Sequence, residues 1–197
     1  YGSEPPELRP LPELRLSLSA PTTVIVAPAT GDYRVIAREL ADGLGKIIGH
    51  TPRVVGEGTA TADFGAGPVL VLGNLMDNRL ARSLYLQAYD FTDYSWPSAG
   101  GHVVRTIRDP FGTGAHVLML GGSDAKGVAD AGRDLLEIVR QSGPQLGYLN
   151  RVKLGRWARE IKKYTSELLS SNDSVWKRTG GVGSWDFQRQ IALAAIG

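Results

Sequence analysis

Residues 100–139, GGHVVRTIRDPFGTGAHVLMLGGSDAKGVADAGRDLLEIV, hold the stretch on which the fold turns. Two apolar runs, HVVRTI (102–107) and AHVLML (115–120), flank Arg108-Asp109-Pro110-Phe111-Gly112-Thr113-Gly114, a cluster of residues that favour tight turns. A connection this short joins antiparallel strands, because parallel neighbours need a crossover of about a dozen residues or more. The second run leads into Gly121-Gly122-Ser123-Asp124. After it, Val128, Leu135, Leu136 and Val139 recur at helical spacing until Gly143-Pro144 stops the pattern. A hairpin that feeds a helix calls for a mixed sheet rather than a purely parallel one.

Working outward toward the N-terminus, Pro68-Val69-Leu70-Val71-Leu72 reads as a buried strand. Gly73-Asn74 then turns into a helix carrying Met76, Leu80 and Leu84. Before it, GEGTATADFGAG (56–67) is small, polar and glycine-rich, and reads as a loop. TVIVA (23–27) is a β-branched strand, and Gly31-Asp32 opens a helix with Ile36, Leu40, Leu44 and Ile47 or Ile48 on one stripe. Gly49 and Pro52 supply the stop, and PRVV (52–55) is a further short strand. LRLSLS (14–19) alternates apolar and polar residues with the period of a half-buried strand, while residues 1–12, with four prolines, form an extended lead-in.

Toward the C-terminus the pattern changes after Gly147. Trp157, Ile161, Tyr164 and Leu168 make one apolar stripe, opposite Arg156, Arg159, Lys162 and Lys163. A polar, glycine-rich link then leads to a last helix beginning near Ser184. The expected organisation is an α/β domain over 1–147 and, over 148–197, a helical linker with the first helix of a truncated helical domain. The fold class is α+β: a mixed β-sheet with helices packed mainly on one face, plus a C-terminal helical tail. IALAAIG (191–197) stops inside an apolar helical pattern, and the chain opens on Tyr1 rather than Met. Both ends are expected to be those of a fragment, the first left by a removed signal peptide or by excision from a longer chain.

Composition narrows the function classes. The 197 residues are 42% hydrophobic and 21% charged, ordinary values for a water-soluble domain. The net charge of +2 is small and the pI of about 8.9 reflects a slight surplus of Arg and Lys, so nucleic acid is not an expected partner. The absence of cysteine removes disulfides, thiolate nucleophiles and zinc–thiolate sites. No apolar run reaches the roughly 18 residues of a membrane span, so no membrane partner is expected either.

Three segments together carry a family resemblance: VIVAPATGDYRVIARELADGLGKIIGHTPRVV (24–55), PVLVLGNLMDNRLARSLY (68–85), and the 100–139 stretch with its G-x-D-x-x-G turn. Their order resembles the N-terminal accessory domain of bacterial hexosaminidase- and glucuronidase-type glycoside hydrolases, over residues 20 to 142. The tail GSWDFQRQIALAAIG (183–197) is similar to the first helix of an α/α-toroid, and the pairing resembles large heparinase-like proteins. The resemblance implies a non-catalytic accessory or scaffolding domain of a secreted or periplasmic, polysaccharide-degrading protein. Its partners would be the helical catalytic domain of the parent chain, packed on the C-terminal helices, and the polysaccharide. Trp185 and Gln188 would border the substrate cleft of the whole protein. No catalytic barrel follows, so no hexosaminidase activity is carried over.

Four constellations are candidate sites. Gly121, Gly122, Ser123 and Asp124 precede a helix, where backbone N–H groups could bind an anion. The segment nevertheless lacks both G-x-x-x-x-G-K-[ST] and G-x-G-x-x-G, and helix capping by Ser123 or Asp124 explains it more simply. A nucleotide- or small-molecule-binding domain using this loop is the alternative function. Tyr89, Tyr94 and Trp96, with Phe91 between them, either stack on sugar rings, with Asp90 and Asp93 as neighbouring acceptors, or plug the sheet edge or a domain interface. His50, His102 and His116 form no H-x-x-x-H or HExxH pattern, so no metal site is expected. Asp77, Asp90, Asp93, Asp109 and Asp124 sit where turns and caps take aspartate, and nothing singles out a catalytic pair. No catalytic residue and no cofactor is expected.

Overall fold

The computed structural model describes residues 13–65 and 67–171, without the side chains of Ala62 and of 164–171. The lead-in, the last helix with Trp185 and Gln188, and the side chains of Tyr164 and Leu168 lie outside the described residues. The elements run β1 (Leu16–Ser17), β2 (Val24–Ala27), α1 (Gly31–Ile48), β3 (Arg53–Gly56), a 3₁₀ turn (Thr61–Phe64), β4 (Val69–Gly73), α2 (Arg79–Leu86), β5 (His102–Ile107), β6 (Val117–Gly122), α3 (Ala125–Ser142), β7 (Gln145–Leu146), β8 (Asn150–Lys153) and α4 (Arg156–Ser171).

Six strands form one mixed sheet in the order β3-β2-β4-β6-β5-β8. β3, β2, β4 and β6 are parallel, and β5 runs antiparallel to both β6 and β8. The hairpin of the 100–139 stretch is the β5–β6 pair, in register from His102 opposite Gly122 to Ile107 opposite Val117. Strands β4 and β6 are buried along their whole length because both faces are covered, which is why they read as unbroken apolar runs.

The two faces are covered unequally. Ile25, Ala27, Leu70, Leu72, Val104, Leu118 and Leu120 point toward the two 18-residue helices α1 and α3. Val24, Val26, Val71, Val117 and Met119 point the other way, against Phe64 and the Leu80, Ala81 and Leu84 stripe of the eight-residue α2. The fold is therefore α+β, a mixed sheet with its long helices on one face. Each fully buried Leu, Val or Ile contributes roughly 1.5–3 kcal/mol, so the central seam of β4 and β6 anchors both layers.

Local chemistry sets the helix ends. Gly49 ends α1 in the left-handed conformation (φ 85°), its N–H bonded to Gly45 O at 3.0 Å. Asn78 caps α2 through Leu80 N, and Asp124 caps α3 through Gly127 N. Three expectations shift. Met76 lies in the turn before Asn78 rather than in the helix, because Asn74 Oδ1 accepts from Met76 N and holds a turn there. In LRLSLS only Leu16–Ser17 pair, with β7, although Leu14, Leu16 and Leu18 all reach the core as the alternation requires. The change of character placed at 147 comes later. Residues 150–153 form β8, the edge strand beside β5, so the sheet extends past the expected boundary and the helical part begins at Arg156.

Candidate functional site

The first place to look in a partly parallel sheet is the carboxyl end of its strands, where the chain order reverses between β2 and β4. Here that position is closed by packing. The Tyr33 hydroxyl donates to Asp77 Oδ2 at 2.5 Å, joining the first turn of α1 to the loop after β4. Burial, then the hydrogen bond to Asp77 and the charges of Asp77, Asp124 and Asp32, raise the Tyr33 pKa above the ordinary phenol value. Asn78 Nδ2 donates to Leu72 O (2.8 Å) and Val26 O (3.4 Å), and Asn74 Nδ2 donates to Gly122 O (3.0 Å). Both amides pin neighbouring strand ends together.

The glycine loop after β6 is equally filled. A side chain at Gly121 would meet the Thr92 side chain, and one at Gly122 would meet the Gly127–Val128 backbone. Gly127 lies against the carbonyl of Gly101. Asp124 Oδ1 accepts from Gly127 N (2.7 Å) and its Oδ2 from Gly100 N (3.0 Å). The glycines thus admit close backbone approach, and the aspartate both caps α3 and tethers the end of the aromatic segment. Ser123 Oγ is buried without a hydrogen-bond partner among the described residues.

Residues 87–101 run beside β5, to which the Arg105–Asp90 pair ties them. Asp90 and Thr92 point inward and are buried, whereas Tyr89, Phe91 and Tyr94 point out. Asp90 accepts from Thr92 N (3.0 Å) and from the Arg105 guanidinium (3.3 Å) on β5. Thr92 O accepts from Leu75 N (3.0 Å), and Asp93 Oδ1 accepts from the N–H groups of Ser95 and Trp96 (both 2.7 Å). The two acids therefore hold the segment in place. Phe91 is 52% and Tyr94 72% exposed, Leu86 at the end of α2 is 76% exposed, and Tyr89 is exposed beside them. Tyr85 packs edge-on against Phe91 with ring centroids 5.9 Å apart. Trp96 is half-buried and joined to Pro97 by a cis peptide.

Tyr89, Phe91 and Tyr94 are thus exposed, as is Leu86 at the end of α2, whereas Trp96 is half-buried. Beyond Pro97 the segment meets α4. Gly155 N donates to Pro97 O (2.8 Å), Ala158 N donates to Ser98 Oγ (3.2 Å), and Trp157 on the first turn remains exposed. Leu86, a surface leucine at the end of a short amphipathic helix, was not among the expected site residues. Its signal was its place just past the apolar stripe of α2.

The histidines are dispersed. His102 is buried against α3, with Nε2 2.8 Å from Asp134 Oδ2 and Nδ1 without a partner among the described residues. His116 Nδ1 accepts from Asp109 N at the other end of the hairpin, and His50 Nε2 lies 3.2 Å from Ala20 O. No group of three His, Asp or Glu side chains converges with metal-site geometry among the described residues. No described helix is long and apolar enough to cross a membrane. Asp109 Oδ1 accepts from Gly114 N within the hairpin turn, so each of the five aspartates named above accepts at least one hydrogen bond within the fold. No protein-family model matches the sequence, and neither does any curated protein.

Proposed function

We propose that this chain is a non-catalytic accessory module of a larger bacterial polysaccharide-degrading protein, a glycoside hydrolase or a polysaccharide lyase, and that its exposed aromatic side chains contact carbohydrate. The observation that carries the reading is the exposure of Tyr89, Phe91 and Tyr94 on a segment that Asp90, Thr92 and Asp93 hold in place. Rings presented on a fixed backbone lose little entropy on meeting a sugar face, and their amphipathic character suits a ligand with apolar faces and polar rims. The aspartates of this surface, Asp90 and Asp93, bond the backbone of their own segment and Arg105, which supports a binding role rather than acid–base chemistry there. The packed Gly121–Gly122 loop argues against the nucleotide-binding alternative. In this reading the protein works outside the cytoplasm, secreted or periplasmic. Its C-terminal part, with Trp185, would meet the helical catalytic domain of the parent chain.

Affinity electrophoresis through soluble neutral and uronate-containing polysaccharides tests the proposal. The pure chain should be retarded by at least one glycan, and the Tyr89→Ala/Tyr94→Ala double variant should migrate as in an empty gel. Equal retardation of both proteins, or none on any glycan, would remove the sugar-contact role. Assays for new reducing ends and for unsaturated uronate should stay at background. Turnover by the pure chain, abolished by substituting one Asp or Glu, would overturn the accessory reading.

A further inference from the structure

On the other side of the sheet, a notch of about 230 Å³ opens between α1 and the carboxyl ends of β2 and β3. Its walls are the Ala27-Pro28-Ala29 turn, the Val54–Gly56 end of the edge strand, and Arg34 and Arg38 of α1. The two arginines are four residues apart on α1, which sets them roughly 40° apart around the helix and one turn apart along it. Neither side chain has a hydrogen-bond or ion-pair partner among the described residues. Asp42, one turn further along the same stripe, makes no ion pair with Arg38 there, and Asp32 lies about 160° around the helix from Arg34. Glu57, next to Gly56, is turned to Arg79 N at 2.7 Å.

Two like charges one turn apart are unfavourable on a helix unless something of opposite charge lies between them. Both arginines line the same concave space, and a guanidinium offers a planar fork of N–H donors suited to a carboxylate or a phosphate. The exposed Val54 gives the notch an apolar side for the rest of such a ligand. We propose that this notch binds a small oxyanionic ligand, a carboxylate or phosphate group clamped between Arg34 and Arg38. The site is separate from the aromatic segment and independent of its assignment. Because both arginines are exposed, screening keeps affinity for a bare anion in the millimolar range, about 1 mM or weaker.

The test is a titration of the ¹⁵N-labelled chain with inorganic phosphate, with sodium glucuronate, and with sodium chloride at matched ionic strength. Saturable shifts are expected at the amides of Ala27, Ala29 and Val54–Gly56 and at the side-chain Nε–H groups of Arg34 and Arg38. In Arg34→Gln/Arg38→Gln the affinity should fall at least about tenfold. Arg34→Lys/Arg38→Lys, which keeps charge but loses the fork, should fall between the two. Saturation by phosphate alone identifies a phosphate ligand, by glucuronate alone a carboxylate, and by both a general oxyanion site. Tyr89→Ala/Tyr94→Ala should titrate like the parent, which separates this site from the sugar-contact proposal. Shifts no different from those in chloride, or an unchanged response in the glutamine variant, would overturn the inference. Both arginines are exposed, so loss of folding does not confound the result.

Discussion

Replacing Asp124 with alanine separates a structural junction from a ligand loop. In the structure Asp124 Oδ1 accepts from Gly127 N at 2.7 Å and Oδ2 from Gly100 N at 3.0 Å. Removing an N-cap side chain costs about 1 kcal/mol, within a range of about 0.5–2. Losing the second, charge-assisted acceptor costs about 1–2 kcal/mol more, because Gly100 N is partly buried and only imperfectly hydrated afterwards. Asp124→Ala should therefore destabilise the domain by about 2–3 kcal/mol. Asp124→Asn keeps the cap but turns an amide NH₂ toward Gly100 N–H, and should cost about half as much. In urea unfolding with an m-value of about 2–3 kcal/mol per M, alanine lowers the midpoint by about 1 M and asparagine by about 0.5 M. If instead Asp124 guards an anion-binding loop, alanine would leave the midpoint within about 0.2 M and would create saturable phosphate binding at Gly121–Ala125. That result would refute the capping account.

Other perturbations read other parts of the structure. Asn78→Asp keeps the cap on Leu80 N but sets a carboxylate against the carbonyls of Leu72 and Val26 in a buried site, and should cost about 2–4 kcal/mol in urea unfolding. Tyr33→Phe should cost about 1–2 kcal/mol through loss of the bond to Asp77. The Tyr33 pKa is raised in the folded state, so its contribution is intact below the unfolded value of about 10 and declines as pH rises above it. The stability gap between parent and Tyr33→Phe should therefore narrow above about pH 10; a gap that widens there would contradict the assignment. Tyr89→Ala/Tyr94→Ala should unfold within about 0.5 kcal/mol of the parent, since both rings are exposed; a larger loss would make them packing residues.

The elements legible in the sequence are those with both a period and punctuation. α1 shows its apolar stripe between Thr30 and Gly49, α3 between Asp124 and Gly143, and the β5–β6 hairpin its turn residues. What escaped lacked one or the other. β8 is Asn150-Arg151-Val152-Lys153, a polar edge strand with a single apolar residue, and only its partner β5 reveals it. Charged residues blunt the exposed edge of a sheet and by the same token erase the strand signal. Met76 fell on the helical stripe, yet the side chain of Asn74 bonds the local backbone and delays the helix to Arg79. The aromatic candidates were visible as a cluster, but the division into outward Tyr89, Phe91 and Tyr94 and inward Asp90 and Thr92 depends on Arg105 and Leu75, which are distant in sequence. Arg34 and Arg38 carry no distinguishing signal in the sequence, because only the fold brings Val54–Gly56 of β3 beside them.

The most direct test of the central claim is residue-level mapping of glycan contact on the ¹⁵N-labelled chain, using neutral oligosaccharides so that charge at α1 plays no part. The account predicts saturable shifts confined to residues 86–96, for at least one oligosaccharide that also retards the protein in affinity gels, and their disappearance in Tyr89→Ala/Tyr94→Ala. Shifts centred on Gly121–Ala125, or a silent 86–96 segment with every retarding glycan, would contradict it.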